Sequence, residues 1–212
     1  DTAEMMRIVI RDGLVGDLAV VSSFGAESAV LLHMVASIDP SLPVLFLDTQ
    51  KHFPETLAYR DTLVERLGLK NLILLTPEAD EVAGQDASGL RWSYDPDGCC
   101  EIRKVRPLAK ALLGKVIRHR QGPYWLSARI IETEAYYVTD KGSHASLGYT
   151  EKRKALFLDG GHIYMYYARG GDSLNFSAHG PGNAVLIKSA YPWVDAISDH
   201  NSLAQMQLNN PD

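Results

Sequence analysis

Two adjacent thiols, Cys99 and Cys100, and two carboxylates two residues apart, Glu132 and Glu134, are the side chains best suited to metal, redox or proton-transfer chemistry. In an extended segment Glu132 and Glu134 fall on one face and Thr133 on the other, so each can raise the other's pKa and suit proton transfer. The same pair on an exposed strand is simply solvated. The thiols are two of the four donors that a zinc ion or an iron–sulfur cluster requires, and the chain has no further cysteine. Two free thiols in a loop is the other reading. A third group is rich in hydroxyls: Ser22-Ser23-Phe24-Gly25-Ala26-Glu27-Ser28 leads from an apolar run into a helical pattern. Backbone N–H groups and hydroxyls converge at such a turn, which favours a phosphate or sulfate. A serine helix cap fits the same residues, and the Gly-Lys-Ser/Thr ending of a P-loop is missing. His144 and the tyrosines Tyr136, Tyr164, Tyr166 and Tyr167 follow later in the chain. Taken singly they read as loop and sheet-packing residues.

Periodicity supplies the elements that would position these groups. Residues 18–24 form an apolar run, and 28–38 place Ala29, Leu32, His33 and Ala36 at helical spacing. Strand patterns at 43–47 and 71–75 flank a helix at 54–67, opened by Pro54 and stopped by Gly68. Strands alternating with helices imply parallel pairing, with ligands at the carboxyl ends of the strands, where Ser22 to Ser28 and Asp48-Thr49 fall. From about residue 108 the pattern shifts. A short helix ends near Gly114, and β-rich runs follow around 116–131, 162–167 and 184–190 without regular intervening helices, as in an antiparallel, curved α+β sheet. Residues 88–97 read as a loop. The expected fold is α/β: a parallel, Rossmann-like half-sheet over residues 1–107 joined to an antiparallel curved α+β half over 108–212. The join lies in a helix beginning near Pro107.

Composition sets the outer limits. The 212 residues are 46% hydrophobic and 22% charged, enough for one large domain or two small ones. No apolar run reaches the roughly 20 residues of a membrane span, and Asp1-Thr2-Ala3-Glu4 lacks the features of a signal peptide, so a cytoplasmic protein is the expectation. Charge is uneven. Residues 1–107 hold 10 basic against 17 acidic side chains, and residues 108–212 hold 11 against 9 together with five of the seven histidines. The second half is thus compatible with a nucleic-acid partner without being basic enough to argue for one.

Two resemblances organise these residues. Ser22 to Ser28, Leu47-Asp48-Thr49, Lys51-His52-Phe53-Pro54-Glu55-Thr56 and Cys99-Cys100 before Arg103-Lys104 resemble an assimilatory adenylylsulfate or phosphoadenylylsulfate reductase. That resemblance implies that Ser22, Ser23, Gly25 and Ser28 hold the phosphosulfate end of an adenylyl nucleotide, with Asp48 and Thr49 beside it. It also implies a 4Fe–4S cluster with Cys99 and Cys100 as partial ligands, which two cysteines cannot complete. The family's later Cys-x-x-Cys pair and cysteine nucleophile are absent, and Gln50 stands where it usually places glycine. From about Leu108 the chain resembles an alkyladenine (3-methyladenine) DNA glycosylase, in Glu132 to Tyr136, Ser143-His144-Ala145, Gly161 to Tyr166, Leu174-Asn175 and the segment ending at Lys188. The resemblance implies hydrolysis of the N-glycosidic bond of a flipped, damaged purine in duplex DNA, with no cofactor or metal. Glu134 would activate the water, Lys188 would help place it, Tyr136, His144 and Tyr166 would enclose the base, and Asn175 would exclude guanine. The intercalating side chain would be Tyr167 or Arg169. That family continues past Asn209-Asn210-Pro211-Asp212.

Three functions stay open on the sequence: a purine-excising DNA glycosylase, a nucleotide-binding reductase fragment without its nucleophile, and a catalytically silent chimera, engineered or recombined. Truncated half-domains would leave apolar faces and strand edges uncovered, which implies self-association or a rebuilt interface.

Overall fold

The computed structural model describes residues 2–12, 17–158, 160–168, 171–178 and 181–210. Residues 26–75 are built as their periodicity predicts, whereas the apolar run at 18–24 yields a strand of only two residues and the helix at 2–11 was not anticipated from the sequence. Helix α1 (Thr2–Arg11) precedes strand β1 (Val20–Val21), helix α2 (Ala26–Ile38), strand β2 (Val44–Leu47), helix α3 (Pro54–Leu67) and strand β3 (Leu72–Leu75). The three strands pair in parallel in the order β1-β2-β3. Pro54 starts α3 where its missing N–H is not needed, and Gly68 ends it at φ 65°, a left-handed conformation that glycine adopts without steric cost. Phe24, Leu32, Val44, Phe46, Leu63 and Leu69 form the core between these helices and the sheet.

Residues 88–97 are more ordered than a loop. After helix α4 (Ala79–Gln85) come two short helices, α5 (Arg91–Tyr94) and α6 (Pro96–Cys100), a π-helical turn over Glu101–Val105, and helix α7 (Arg106–Leu112). Asp95 explains the local order: its carboxylate accepts from Gly98 N–H at 3.0 Å and from Arg91 Nε at 2.9 Å, capping α6 and tying it to α5. The two cysteines therefore end a helix instead of lying in a loop.

The second half is a five-stranded antiparallel sheet in the order β4-β5-β8-β7-β6. Its strands are β4 (Val116–Gln121), β5 (Tyr124–Tyr136), β6 (Ile163–Ala168), β7 (Gly171–Ser177) and β8 (Ala184–Pro192). Two short 3₁₀ helices, His144–Leu147 and Glu151–Phe157, bridge β5 and β6, and helix α8 (His200–Asn209) follows β8. β7 and α8 went unread in the sequence: Gly171-Asp172-Ser173 opens β7 with turn-forming residues, and α8 has no clean apolar stripe.

The halves share a core. Val105 and Leu108 of the junction pack with Ala178 and Val185, and Leu47 of the parallel sheet joins Ala135 of the antiparallel one and Tyr137 just beyond β5 around them. Helix α7 thus serves both sheets. Elsewhere apolar surface stays uncovered: Val21, Ile73 and Leu74 on the parallel sheet and Val30 and Leu31 on α2 are exposed. No helix among the described residues is long and apolar enough to cross a membrane.

Candidate functional sites

Strand register brings the second-half residues together. Glu134 of β5 pairs with Leu186 of β8, Leu186 with Asn175 of β7, and Asn175 with Tyr164 of β6, so one row across four strands puts all of them on one face. Tyr136 and Tyr166 lie two residues along on the same face. The β5–β8 register shifts on either side of Glu132, leaving Ile131 and Lys188 without opposite partners. Such irregularities re-aim side chains. Here Lys188 Nζ stands 3.0 Å from Glu134 Oε1, while Tyr136 OH donates to Glu134 Oε2 at 2.9 Å.

The ammonium of Lys188 is the largest influence on Glu134; it outweighs partial burial and, with the Tyr136 hydroxyl, holds the carboxyl below its ordinary range. Glu134 is therefore ionised at neutral pH. The expectation that the two glutamates raise one another gives way to this arrangement, because Lys188 supplies the opposite charge. Glu134 in turn raises the pKa of both Lys188 and Tyr136.

Beside this carboxylate, His144 stacks on Tyr166 with ring centres 3.7 Å apart, and its Nδ1 lies 3.0 Å from the hydroxyl of Tyr164. Asn175 is buried and donates to the Tyr164 carbonyl at 3.4 Å. Tyr136, His144, Tyr164, Tyr166, Asn175, Leu156 and Ala184 line a pocket of only about 10 Å³, so its walls are nearly closed on one another. Tyr164 is the wall residue that sequence reasoning treated only as packing; its position two before Tyr166 was the available signal. Tyr167 is 74% exposed near the end of β6, and Arg169 lies outside the described residues.

The first-half residues meet in a different place. Ser22, Ser23, Gly25, Thr49, Cys99 and Cys100 line one cavity of about 430 Å³, with Lys51, His52, Trp92 and Lys104 added by the fold. The Ser22 and Ser23 hydroxyls accept from the N–H groups of Phe24 and Gly25 at 3.1 and 3.4 Å, and Ser23 Oγ lies 3.4 Å from Ser28 Oγ. Ser28 and Asp48 stand just outside the lining; Asp48 accepts from Gln50 N–H at 2.9 Å. Arg103, a lining residue in the π-helical turn after the cysteines, donates to the Thr49 carbonyl at 3.0 Å and to buried Asp86 at 2.7 Å, fixing the loop after β2 to that turn.

Gln50 occupies the left-handed region at φ 59°, which accounts for glycine being usual there. A side chain in that conformation costs roughly 1–2 kcal/mol, partly offset in a glycine variant by greater unfolded-state freedom. Gln50→Gly is expected to raise the melting temperature by about 2 °C. A fall instead would mean that the Gln50 contact with Arg103, at 3.4 Å, outweighs the strain.

The residues present do not fit the iron–sulfur cluster that the reductase resemblance implies. Four thiolates are needed, the chain has two cysteines, and no three His, Cys, Asp or Glu residues converge among the described residues. Burial, and then the neighbouring Cys100, raises the pKa of Cys99, which keeps that thiol protonated.

Comparison with known proteins finds two families whose matches overlap. A model of the methylpurine-DNA glycosylase family matches residues 100–211, and one of the phosphoadenosine phosphosulfate reductase domain matches residues 17–134. Each match takes in more than half of the chain, so the chain belongs to both families, with the junction helix inside the overlap. A protein of Pseudomonas savastanoi pv. phaseolicola named as a 3-methyladenine DNA glycosylase is 82% identical over 110 residues, covering 52% of this chain and 49% of the relative. An adenosine 5'-phosphosulfate reductase of Chelativorans sp. is 57% identical over 97 residues, 46% of this chain and 40% of the relative. The crystal structure of phosphoadenylyl-sulfate (PAPS) reductase from Candida auris, as a phosphate complex, aligns at a TM-score of 0.41 and 24% identity, over 50% of this chain and 54% of that one. The chain spans about half the length, or less, of the curated relatives it matches.

Proposed function

We propose that this chain releases damaged purines from duplex DNA by hydrolysis of the N-glycosidic bond. The observation that carries the reading is Glu134, ionised between Lys188 and Tyr136 and set beside the aromatic pocket of Tyr136, His144 and Tyr166. A flipped purine stacked on those rings regains stacking lost from the duplex. Its sugar then lies near the carboxylate, which takes a proton from water as the water attacks and which favours positive charge developing on the sugar. Asn175, fixed in the row with Glu134, presents its amide to the base edge and discriminates against guanine. The nearly closed pocket must widen for a base, and His144, on its short 3₁₀ helix, is a wall that lies outside the sheet. Tyr167, near the end of β6, or Arg169 fills the gap left in the duplex. No cofactor is needed. The test is free hypoxanthine or 3-methyladenine, with an alkali-labile abasic site, from a duplex containing the lesion; a folded chain that leaves the duplex intact overturns the reading.

The lowered pKa of Glu134 fixes a pH dependence. The base is active when ionised, so release persists as pH falls through the ordinary glutamate range and is lost only below it. Lys188→Gln removes the largest lowering influence and leaves burial to act, so the acid limb should move to higher pH. A pH–rate profile under single turnover checks this, and an unmoved limb would show that Lys188 does not act on the base.

A second reading rests on the larger cavity. Ser22, Ser23, Gly25 and Thr49 with Lys51 and Lys104 supply hydroxyls, amides and cations for the anionic end of an adenylylsulfate-type nucleotide, and Trp92 and Phe53 offer aromatic surface. Under this reading the nucleotide is bound without release of sulfite, since no cysteine beyond Cys99 and Cys100 is present to attack it. Both the division at residues 107 and 108 and self-association through the exposed apolar faces belong with these proposals.

A further inference from the structure

The 430 Å³ cavity is not walled by first-half residues alone. Gly160 and Gly161, in the turn ahead of β6, and Leu108 of α7 complete it. These residues continue into the base pocket by short covalent and packing paths. Gly161 N–H donates to the Ser177 carbonyl at 2.7 Å and Ser177 N–H returns a bond to the His162 carbonyl at 2.8 Å, so the turn is latched to β7. Three residues beyond Gly161 is Tyr164, bonded to His144. On the other side, Leu108 packs on Val185, whose neighbour Ala184 lines the base pocket and pairs with Tyr136, and whose neighbour Leu186 pairs with Glu134.

We propose that the two sites are antagonistically coupled: an anionic adenine nucleotide in the composite cavity opposes entry of a damaged base into the pocket, and a bound damaged base weakens the nucleotide. The proposal rests on both readings above. Its sign follows from population shift. In the conformation with the cavity formed and the turn latched, the base pocket is shut to about 10 Å³. A ligand shifts an equilibrium toward the state it fits, so a nucleotide held against Gly160, Gly161 and Leu108 favours the shut pocket. Thermodynamic reciprocity makes the effect equal in both directions.

Adenosine 5'-phosphosulfate would be titrated into the whole chain, alone and saturated with a duplex carrying an uncleavable hypoxanthine nucleotide. Nucleotide affinity should fall roughly fivefold or more in the presence of the duplex, the lower end of usual coupling between sites, and duplex affinity should fall by the same factor in the presence of nucleotide. Lys104→Glu places a negative charge in the cavity and should remove nucleotide binding and antagonism together. Equal affinities with and without duplex overturn the coupling, as does failure of either ligand to bind. Antagonism that survives Lys104→Glu also overturns it, because the nucleotide would then occupy the base pocket directly. Antagonistic binding without base release overturns the excision reading and leaves the coupling standing; release with unchanged affinities does the reverse.

Discussion

Replacing Arg103 with leucine should destabilise the chain by about 3–5 kcal/mol, the usual effect of stranding one member of a buried ion pair. Asp86 has no exposed side-chain surface and Arg103 has 4%, with 2.7 Å between Arg103 Nη2 and Asp86 Oδ2. Burial is the largest single influence on Asp86 and pushes its pKa up, but the Arg91 N–H and the Arg103 guanidinium together hold it below the ordinary range. The pair's contribution is thus present above the ordinary aspartate range and is lost as pH falls through the lowered value. In Arg103→Leu burial loses its main opposing charge, so stability falls most near neutral pH and less under acid. Urea unfolding at pH 7 and pH 4 measures both. The double variant Asp86→Leu with Arg103→Leu should lose less than the single one, since no charge is left buried. A single-variant loss under 1 kcal/mol would mean that Asp86 finds water or another partner. Because Arg103 also holds the Thr49 carbonyl, the same variant should weaken any ligand of the larger cavity.

Glu134→Gln should lower single-turnover base release by about 10² to 10⁴, the range for removing a positioned general base. The change is nearly isosteric at a side chain with one-third of its surface exposed, so the fold should survive. The glutamine carbonyl can still accept from Tyr136, whereas the charge that attracts Lys188 and takes the proton is gone. Circular dichroism and duplex affinity close to those of the unaltered chain would confine the loss to chemistry. Less than a tenfold loss would remove Glu134 from the role of base.

Much of the first half could be read from its residues. Pro54 and Gly68 bound α3 as their backbone preferences require, and the apolar runs before Gly25 and Asp48 became β1 and β2. The shift to an antiparallel sheet near residue 108 was equally legible from β-rich runs without helices between them. Where tertiary geometry decides, the sequence was silent. The register shift that aims Lys188 at Glu134 depends on pairing between strands about 50 residues apart, and no local pattern encodes it. β7 was hidden because Gly171, Asp172 and Ser173 have low strand propensity and gain their conformation from pairing with β6, while only residues 174–177 also pair with β8. The composite cavity has both Ser22 and Gly161 in its lining, a combination that neither family resemblance could supply. The grouping of Glu134, Tyr136, His144, Tyr166 and Asn175 came from resemblance, and strand register gives its physical basis for the four strand residues: they share one sheet face, His144 stacks on Tyr166 from its 3₁₀ helix, and the junction helix packs on the other face.

The most direct measurement is mass-spectrometric detection of free hypoxanthine after incubating the whole chain with a duplex carrying a single such base, beside Glu134→Gln under the same conditions. The account predicts one equivalent of free base and an abasic strand from the unaltered chain, and almost none from the variant. Equal yields from both proteins, or an intact duplex after incubation with folded protein, would contradict it.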